Sequence, residues 1–170
     1  DAIELSHEEA LAELTRRYFR SHGPATLEDF VWWSALSIGE ARNAIASLGT
    51  EMITERYNDR EMLIHASSPG LVGEVDIDEK NVFQFLPPFD EYLMSYKNRL
   101  DCIKESHTKY AYNNFGIFQS VILHQGRITG NWRKTSKKGV FDTSFFPGCR
   151  PAAKKLIEKA IKECVLFHES

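Results

Sequence analysis

Phe83-Gln84-Phe85-Leu86-Pro87-Pro88-Phe89-Asp90-Glu91-Tyr92-Leu93-Met94-Ser95-Tyr96-Lys97-Asn98-Arg99 stands at the middle of the chain and divides it. Its first residues read as extended, because the two prolines exclude helix at Leu86 and Pro87. From Phe89 the pattern turns helical, with Phe89, Leu93 and Tyr96 at i, i+4 and i+7. Asp90 and Glu91 suit the positive end of that helix's dipole, and Lys97 and Arg99 suit its negative end.

Charge changes sign across this stretch. Residues 1–66 carry six Lys/Arg against twelve Asp/Glu, and residues 67–105 carry four against eight. Residues 106–170 carry eleven against four, within a net charge of only −3. A basic second half suits an oriented encounter with a polyanion; it equally suits a closing helix with solvated lysines. The 42% hydrophobic and 26% charged content is ordinary for a globular chain and argues against disorder. No apolar run approaches the roughly 20 residues that span a bilayer, and no signal peptide is visible. Cys102, Cys149 and Cys164 are odd in number and lack the close pairing of a zinc site, so no metal is expected and a reduced, cytoplasmic setting fits.

Toward the N-terminus, three helices announce themselves by their caps. Ser6 with Glu9, Thr26 with Asp29, and Ser37 with Glu40 each have the spacing of a capping box. The first helix has an apolar stripe of Ala10, Leu11, Leu14, Tyr18 and Phe19, and His22-Gly23-Pro24 stops it. Leu27, Phe30, Val31 and Trp33 supply core from the second, with Trp32 and Trp33 read as core and domain-interface residues. Ile38, Ala41, Ile45 and Leu48 face inward from the third. Residues 52–57 and 60–65 flank the polar pair Asn58-Asp59 and predict a β-hairpin. Three helices and a hairpin are the order of a winged helix. In its DNA-binding use the third helix would enter the major groove, where Arg42 and Asn43 have the chemistry to read base edges. The acidic surroundings oppose that use and favour a structural or protein-contacting role.

Toward the C-terminus, residues 66–82 read as a connector, with turn chemistry at Ser67-Ser68-Pro69-Gly70 and a short edge strand at Val75-Asp76-Ile77-Asp78. Leu100 to Tyr112 is polar and reads as loop with some helix. Ile117–Leu123, Arg127–Thr135 and Val140–Phe146 predict a three-stranded antiparallel meander, with turns at His124-Gln125-Gly126 and Ser136–Gly139. From Pro151, taken as a first helical residue, Ala153, Leu156, Ile157, Ala160, Ile161, Cys164 and Phe167 stripe a closing helix. Arg127, Arg133, Lys134, Lys137 and Lys138 gather around the meander with Trp132 among them. A basic hairpin with an aromatic can straddle a phosphate backbone or probe a groove; it can also be a solvated hairpin with Trp132 in the core.

Three stretches together resemble one family. "FLPPFDEYLMSYKNR" is similar to the "LLPxFDxYLLGYxDR" signature of the bacterial winged-helix DNA glycosylases, the AlkZ-like and YcaQ-like proteins. The span Ala12 to Leu48 fits as well, through Arg17-Tyr18, His22-Gly23-Pro24-Ala25-Thr26, Asp29-Phe30 and Trp32-Trp33-Ser34, as does Gln125-Gly126-Arg127 followed by Gly130-Asn131-Trp132-Arg133. The resemblance implies that the chain corresponds to the C-terminal half of proteins about twice as long. It implies excision of alkylated or crosslinked bases by hydrolysis of the N-glycosidic bond, without a cofactor. It also implies a hairpin that engages DNA, either at His124–Arg127 or at Ser136–Gly139. The family's catalytic Gln-x-Gln or Gln-x-Asp pair is absent, since neither residue follows Gln84, Gln119 or Gln125 at the required spacing. No H-E-x-x-H, G-x-S-x-G or phosphate-cradling glycine loop stands in its place.

The expectation is therefore an α+β fold: a winged-helix domain at 1–66, a connector at 67–82, and a C-terminal α+β domain at 83–170 with a three-stranded sheet and flanking helices. The expected partners are double-stranded DNA, through Arg127, Trp132, Arg133, Lys134, Lys137, Lys138, Arg42 and Asn43, and the N-terminal half of the same protein, with no membrane. The fragment alone is expected to be inactive. The competing reading is a non-catalytic winged-helix module for protein interaction or transcription regulation.

Overall fold

All three capping boxes form. A computed structural model describes residues 4–68, 82–137 and 139–169. In it α1 runs His7–His22, α2 Leu27–Ser34 and α3 Ile38–Ser47. At each start the hydroxyl of Ser6, Thr26 or Ser37 accepts a backbone N–H, and Glu9, Asp29 or Glu40 accepts the cap's own N–H in return. The helices close over Tyr18, Phe19 and Phe30, whose rings lie 5.1–5.3 Å apart. Ala25, Ala41 and Leu63 complete this core.

Three inward assignments change, and the first is Ala10, which is exposed near the start of α1. Ile38, the first residue of α3, is exposed, while Ala44 is buried beside Ala41. The helix thus packs by its small residues, starting one turn beyond its cap. Trp33 packs against Tyr18, but Trp32 is 53% exposed rather than core.

A short 3₁₀ turn leads into β1 (Met52–Tyr57), paired antiparallel with β2 (Arg60–His65). The turn residues Asn58 and Asp59 have φ of 47° and 60°, the left-handed pair that matches strand twist. Only β2 is well buried. Leu63 exchanges backbone bonds of 2.8 and 3.0 Å with Ala25, tying the hairpin to the α1–α2 linker. Three helices followed by a hairpin are the element order of a winged helix.

The chain forms two compact units. The first holds the described residues through Ser68 together with Ser95–Lys97; the second holds Val82–Met94 and the described residues from Asn98 onward. The edge strand expected at Val75–Asp78 lies outside the described residues.

The central stretch begins as expected and then departs. Phe83–Leu86 is extended, but the helix is a single turn, α4 (Glu91–Met94). Phe89 precedes it with a φ of 59° and an exposed side chain, so it belongs to no helical stripe. Asp90 starts the turn by accepting the N–H of Tyr92 at 2.9 Å. Beyond Met94 the backbone is claimed by the first unit. Tyr18 donates to the Ser95 carbonyl at 3.0 Å, Tyr96 donates to the His22 carbonyl at 2.9 Å, and the Lys97 N–H donates to Asp29 at 2.8 Å. A one-turn helix gains little from propagation, so these tertiary bonds prevail over the next intrahelical ones.

The second unit is built on one antiparallel sheet of order β3-β4-β5-β6: Phe83–Leu86, Val121–His124, Arg127–Lys134 and Phe141–Phe145. The expected meander is present, and the extended start of the central stretch adds a fourth strand against β4. β4 opens at Val121 rather than Ile117, because Phe118 bridges Tyr112 and Gln119 bonds back to Ala111 at 2.8 Å in a separate loop. The closing helix α6 spans Lys154–Glu169, three residues later than Pro151 suggested. The N–H groups of Leu156 and Ile157 converge on the Ala153 carbonyl, and Ala152 is buried in place of Ala153. One sheet face holds Leu86, Val121, Leu123 and Ile128, covered by Leu93 of α4 and Ala111 of the short helix α5 (Thr108–Ala111). The other holds Phe83, Phe85, Ile122, Trp132 and Phe145 against Ala160 of α6.

Candidate nucleic-acid interface

Of the cations expected to meet DNA, Arg127, Arg133 and Lys134 ride on β5, and a bulge decides where they point. Ile128 pairs with Leu123 and Gly130 with Ile122, so Thr129 is an extra residue. Strand side chains alternate faces, yet Ile128 lies in one core and Trp132 in the other although both positions are even. The bulge reverses the alternation between them. Arg127 and Arg133 therefore fall on opposite faces by register, where an unbroken strand would put them on one.

They are also far apart. Arg127 opens β5 beside the two-residue turn Gln125-Gly126, whose Gly126 carbonyl accepts the Tyr92 hydroxyl at 3.0 Å. Arg133, Lys134 and Lys137 stand at the opposite end, roughly 20 Å along the strand. Both arginines and both lysines are exposed. Arg133 is paired with Asp142 of β6 at 2.8 Å. Lys137 lies in the turn toward β6, where its N–H donates to the Thr135 hydroxyl at 3.2 Å. Lys138 lies outside the described residues.

Trp132 is anchored inward. Its ring stacks on Phe85 at 5.2 Å with 12° between planes, and its indole N–H donates to the Leu86 carbonyl at 2.7 Å. It locks β5 to β3 and is half-buried. Gly130 makes the neighbouring contact possible: a Cβ there would overlap the Ser144 carbonyl of β6.

An open groove of about 690 Å³ runs along this end of the sheet, lined by Lys109, Gln119, Asn131 and Arg133 among others. The Asn131 amide donates to the Tyr110 carbonyl at 3.1 Å and the Ser120 carbonyl at 2.9 Å, fixing the groove wall to the strand. Lys109 reaches over the Tyr110 ring at 5.0 Å, and Tyr110 in turn stacks on Phe146. Amide, hydroxyl and ammonium groups facing water are suited to phosphate and sugar contacts. The segment from Leu100 to Tyr112 lacks periodicity, and this hid Lys109 and Tyr110 from the sequence reading. Asn131 left a fainter signal, an amide set between the apolar positions of a strand.

Arg99 also acts differently from its reading as a helix-end cation. Its guanidinium lies 5.2 Å from the centres of both the Tyr112 and Phe118 rings. It thereby braces the base of the loop that these two residues close.

Arg42 and Asn43 are exposed on α3 in the first unit and do not join the β5 cations in one unit. Among the described residues no group of three or more His, Cys, Asp or Glu is arranged to hold a metal. Burial, reinforced by Asp101, pushes the Cys102 thiol up to about 11, which removes it from thiolate chemistry near neutral pH. No helix among the described residues is long and apolar enough to cross a membrane.

Residues 1–167 match the family model described as DNA glycosylase AlkZ-like. Among solved structures, the Streptomyces sahachiroi DNA glycosylase AlkZ is similar in fold, with a TM-score of 0.78 at 21% sequence identity. The match covers 94% of this chain and 43% of that one, so this chain spans less than half its length. A comparison with curated proteins finds no match. With mixed helices and antiparallel sheets in the same arrangement over nearly its whole length, the chain belongs to the AlkZ-like DNA glycosylase family.

Proposed function

We propose that this chain is the DNA-gripping, C-terminal portion of an AlkZ-like glycosylase that excises alkylated or crosslinked bases. Its sheet end at β5–β6 is the contact surface. The observation that carries the reading is the polar groove lined by Lys109, Arg133 and Asp142, with Lys134 and Lys137 exposed at the same end of the strand. Arg127 supplies a second contact at the near end of β5. The Gln-x-Gln or Gln-x-Asp pair belongs to the other half of the family's proteins, so this chain contributes grip and scaffold, and its partners are double-stranded DNA and that half. No cofactor enters, and the setting is cytoplasmic. In the first unit Arg42 and Asn43 are subsidiary, because its excess of acidic residues repels phosphate. Exposed Trp32 and Ile38 favour protein contact there instead.

Fluorescence anisotropy with a labelled duplex at low and physiological salt tests this. Wild type binds, and its log–log salt slope shows counterion release of about 0.9 per phosphate neutralised. Arg127→Glu/Lys134→Glu/Lys137→Glu binds more weakly and with a shallower slope. Wild type that fails to bind at low salt sinks the proposal and favours the protein-interaction module.

A further inference from the structure

The loop from Ala111 to Gln119 is rigid at its base and carries an aromatic ring into water at its tip. Phe115 is 90% exposed, the most exposed of the chain's exposed large apolar side chains among the described residues. The loop beneath it is closely tied. Tyr112 and Phe118 bridge as in a strand pair, and Gln119 donates to the Ala111 carbonyl at 2.8 Å. The Asn113 carboxamide oxygen accepts the N–H groups of Phe115 at 3.0 Å and Ile117 at 3.2 Å. Gly116 takes a φ of 75°, which an L side chain would resist, and its N–H donates to the Asn113 carbonyl at 3.1 Å. Arg99 braces the base from beneath the two rings. A flexible loop would let an apolar ring fold back onto the surface; this one holds it out.

The base of the same loop is the wall of the groove. Asn131 bonds to the carbonyls of Tyr110 and Ser120, the residues just outside the loop on either side, and Lys109 and Arg133 flank them. An apolar wedge thus projects from a polar platform on which Lys109 is exposed and Arg133 is paired with Asp142. Proteins that kink duplex DNA pair these elements: a wedge that unstacks a base step and polar groups that hold the adjoining backbone. The rim around Phe115 mixes the exposed apolar side chains Ile117 and Tyr110 with exposed Asn114, Gln119 and Lys109, and its polar and cationic members suit a nucleic-acid backbone.

We propose that Phe115 enters a base step of duplex DNA while the groove at its base, with Lys109 and Arg133, holds the neighbouring phosphates. The inference rests on the DNA-gripping role and assigns it a second element, separate from the cationic turns. The test uses the whole 170-residue chain and a duplex containing 2-aminopurine, whose emission rises on unstacking. Wild type raises the emission on binding at low salt. Phe115→Ala loses the rise and binds about tenfold more weakly, as loss of one base–aromatic contact requires. Phe115→Leu retains part of the rise, because an aliphatic wedge still separates bases. An unchanged thermal transition in both variants shows that the fold is intact, as expected for an exposed tip. Binding by wild type without a rise, or a Phe115→Ala variant that matches wild type, overturns the wedge. If Arg127→Glu/Lys134→Glu/Lys137→Glu still loses affinity, the gripping role stands without it. Failure of wild type to bind overturns both.

Discussion

The two units differ in how far apart their determinants lie along the chain. In the first, almost every boundary is set by residues within four positions of it. Ser6–Glu9, Thr26–Asp29 and Ser37–Glu40 start the helices, and Asn58-Asp59 turns the hairpin. In the second, the decisive contacts join residues far apart. β3 pairs with β4 across a separation of some 35 residues, Trp132 donates to Leu86, and Asn131 reaches Tyr110 and Ser120. Local rules therefore describe the first unit nearly completely. In the second they locate the strands but not the faces of their side chains.

That contrast is open to direct attack. The largest effect is expected from Trp132→Ala, which removes a ring stacked on Phe85 and the bond linking β5 to β3. Denaturant unfolding followed by circular dichroism should register a loss of about 3–5 kcal/mol. A loss below 1 kcal/mol would mean that Trp132 is a surface residue and that the sheet does not depend on it.

Gly130→Ala comes next. The added methyl meets the Ser144 carbonyl and must push β6 away, at about 1–3 kcal/mol. Ser37→Ala, the matched change in the first unit, removes one cap and should cost about 1 kcal/mol. If both changes cost the same in paired melts, close interstrand approach matters no more than a cap.

The smallest effect depends on pH. Bonds from Arg16, and then from His65, hold the Glu51 carboxyl well below its ordinary value, at about 2. A carboxyl lowered on folding stabilises the protein fully above the unfolded value of 4.5, and that contribution fades as pH falls toward 2. Glu51→Gln should therefore melt below wild type at pH 6, with the gap narrowing through this acid window. A gap that is constant with pH would assign Glu51 a steric role.

The candidate interface was legible in kind but not in layout. The basic composition of residues 127–138 marked the region, and the resemblance marked its use. A run of cations on a strand suggests a single cluster, but one extra residue at Thr129 sets Arg127 and Arg133 on different faces. Lys109 and Tyr110 carried no periodic signal, and Asn131 ties their helix to the strand by bonding the Tyr110 carbonyl. The central stretch shows the same division. Its extended start and the proline boundary were readable, whereas its helix stopped early because Tyr18, His22 and Asp29 supply bonds from outside.

By itself, the sequence determined the three capped helices, the hairpin that follows them, the strands of the meander and the family, since each rests on short-range stereochemistry or on motifs in fixed order. Only the tertiary structure decided the fourth strand, the turn of Trp132 into the core, the split of the cations and the exposure of Phe115. Those features follow from backbone groups and rings finding partners many residues away, and strand periodicity cannot anticipate a partner that lies outside its own window.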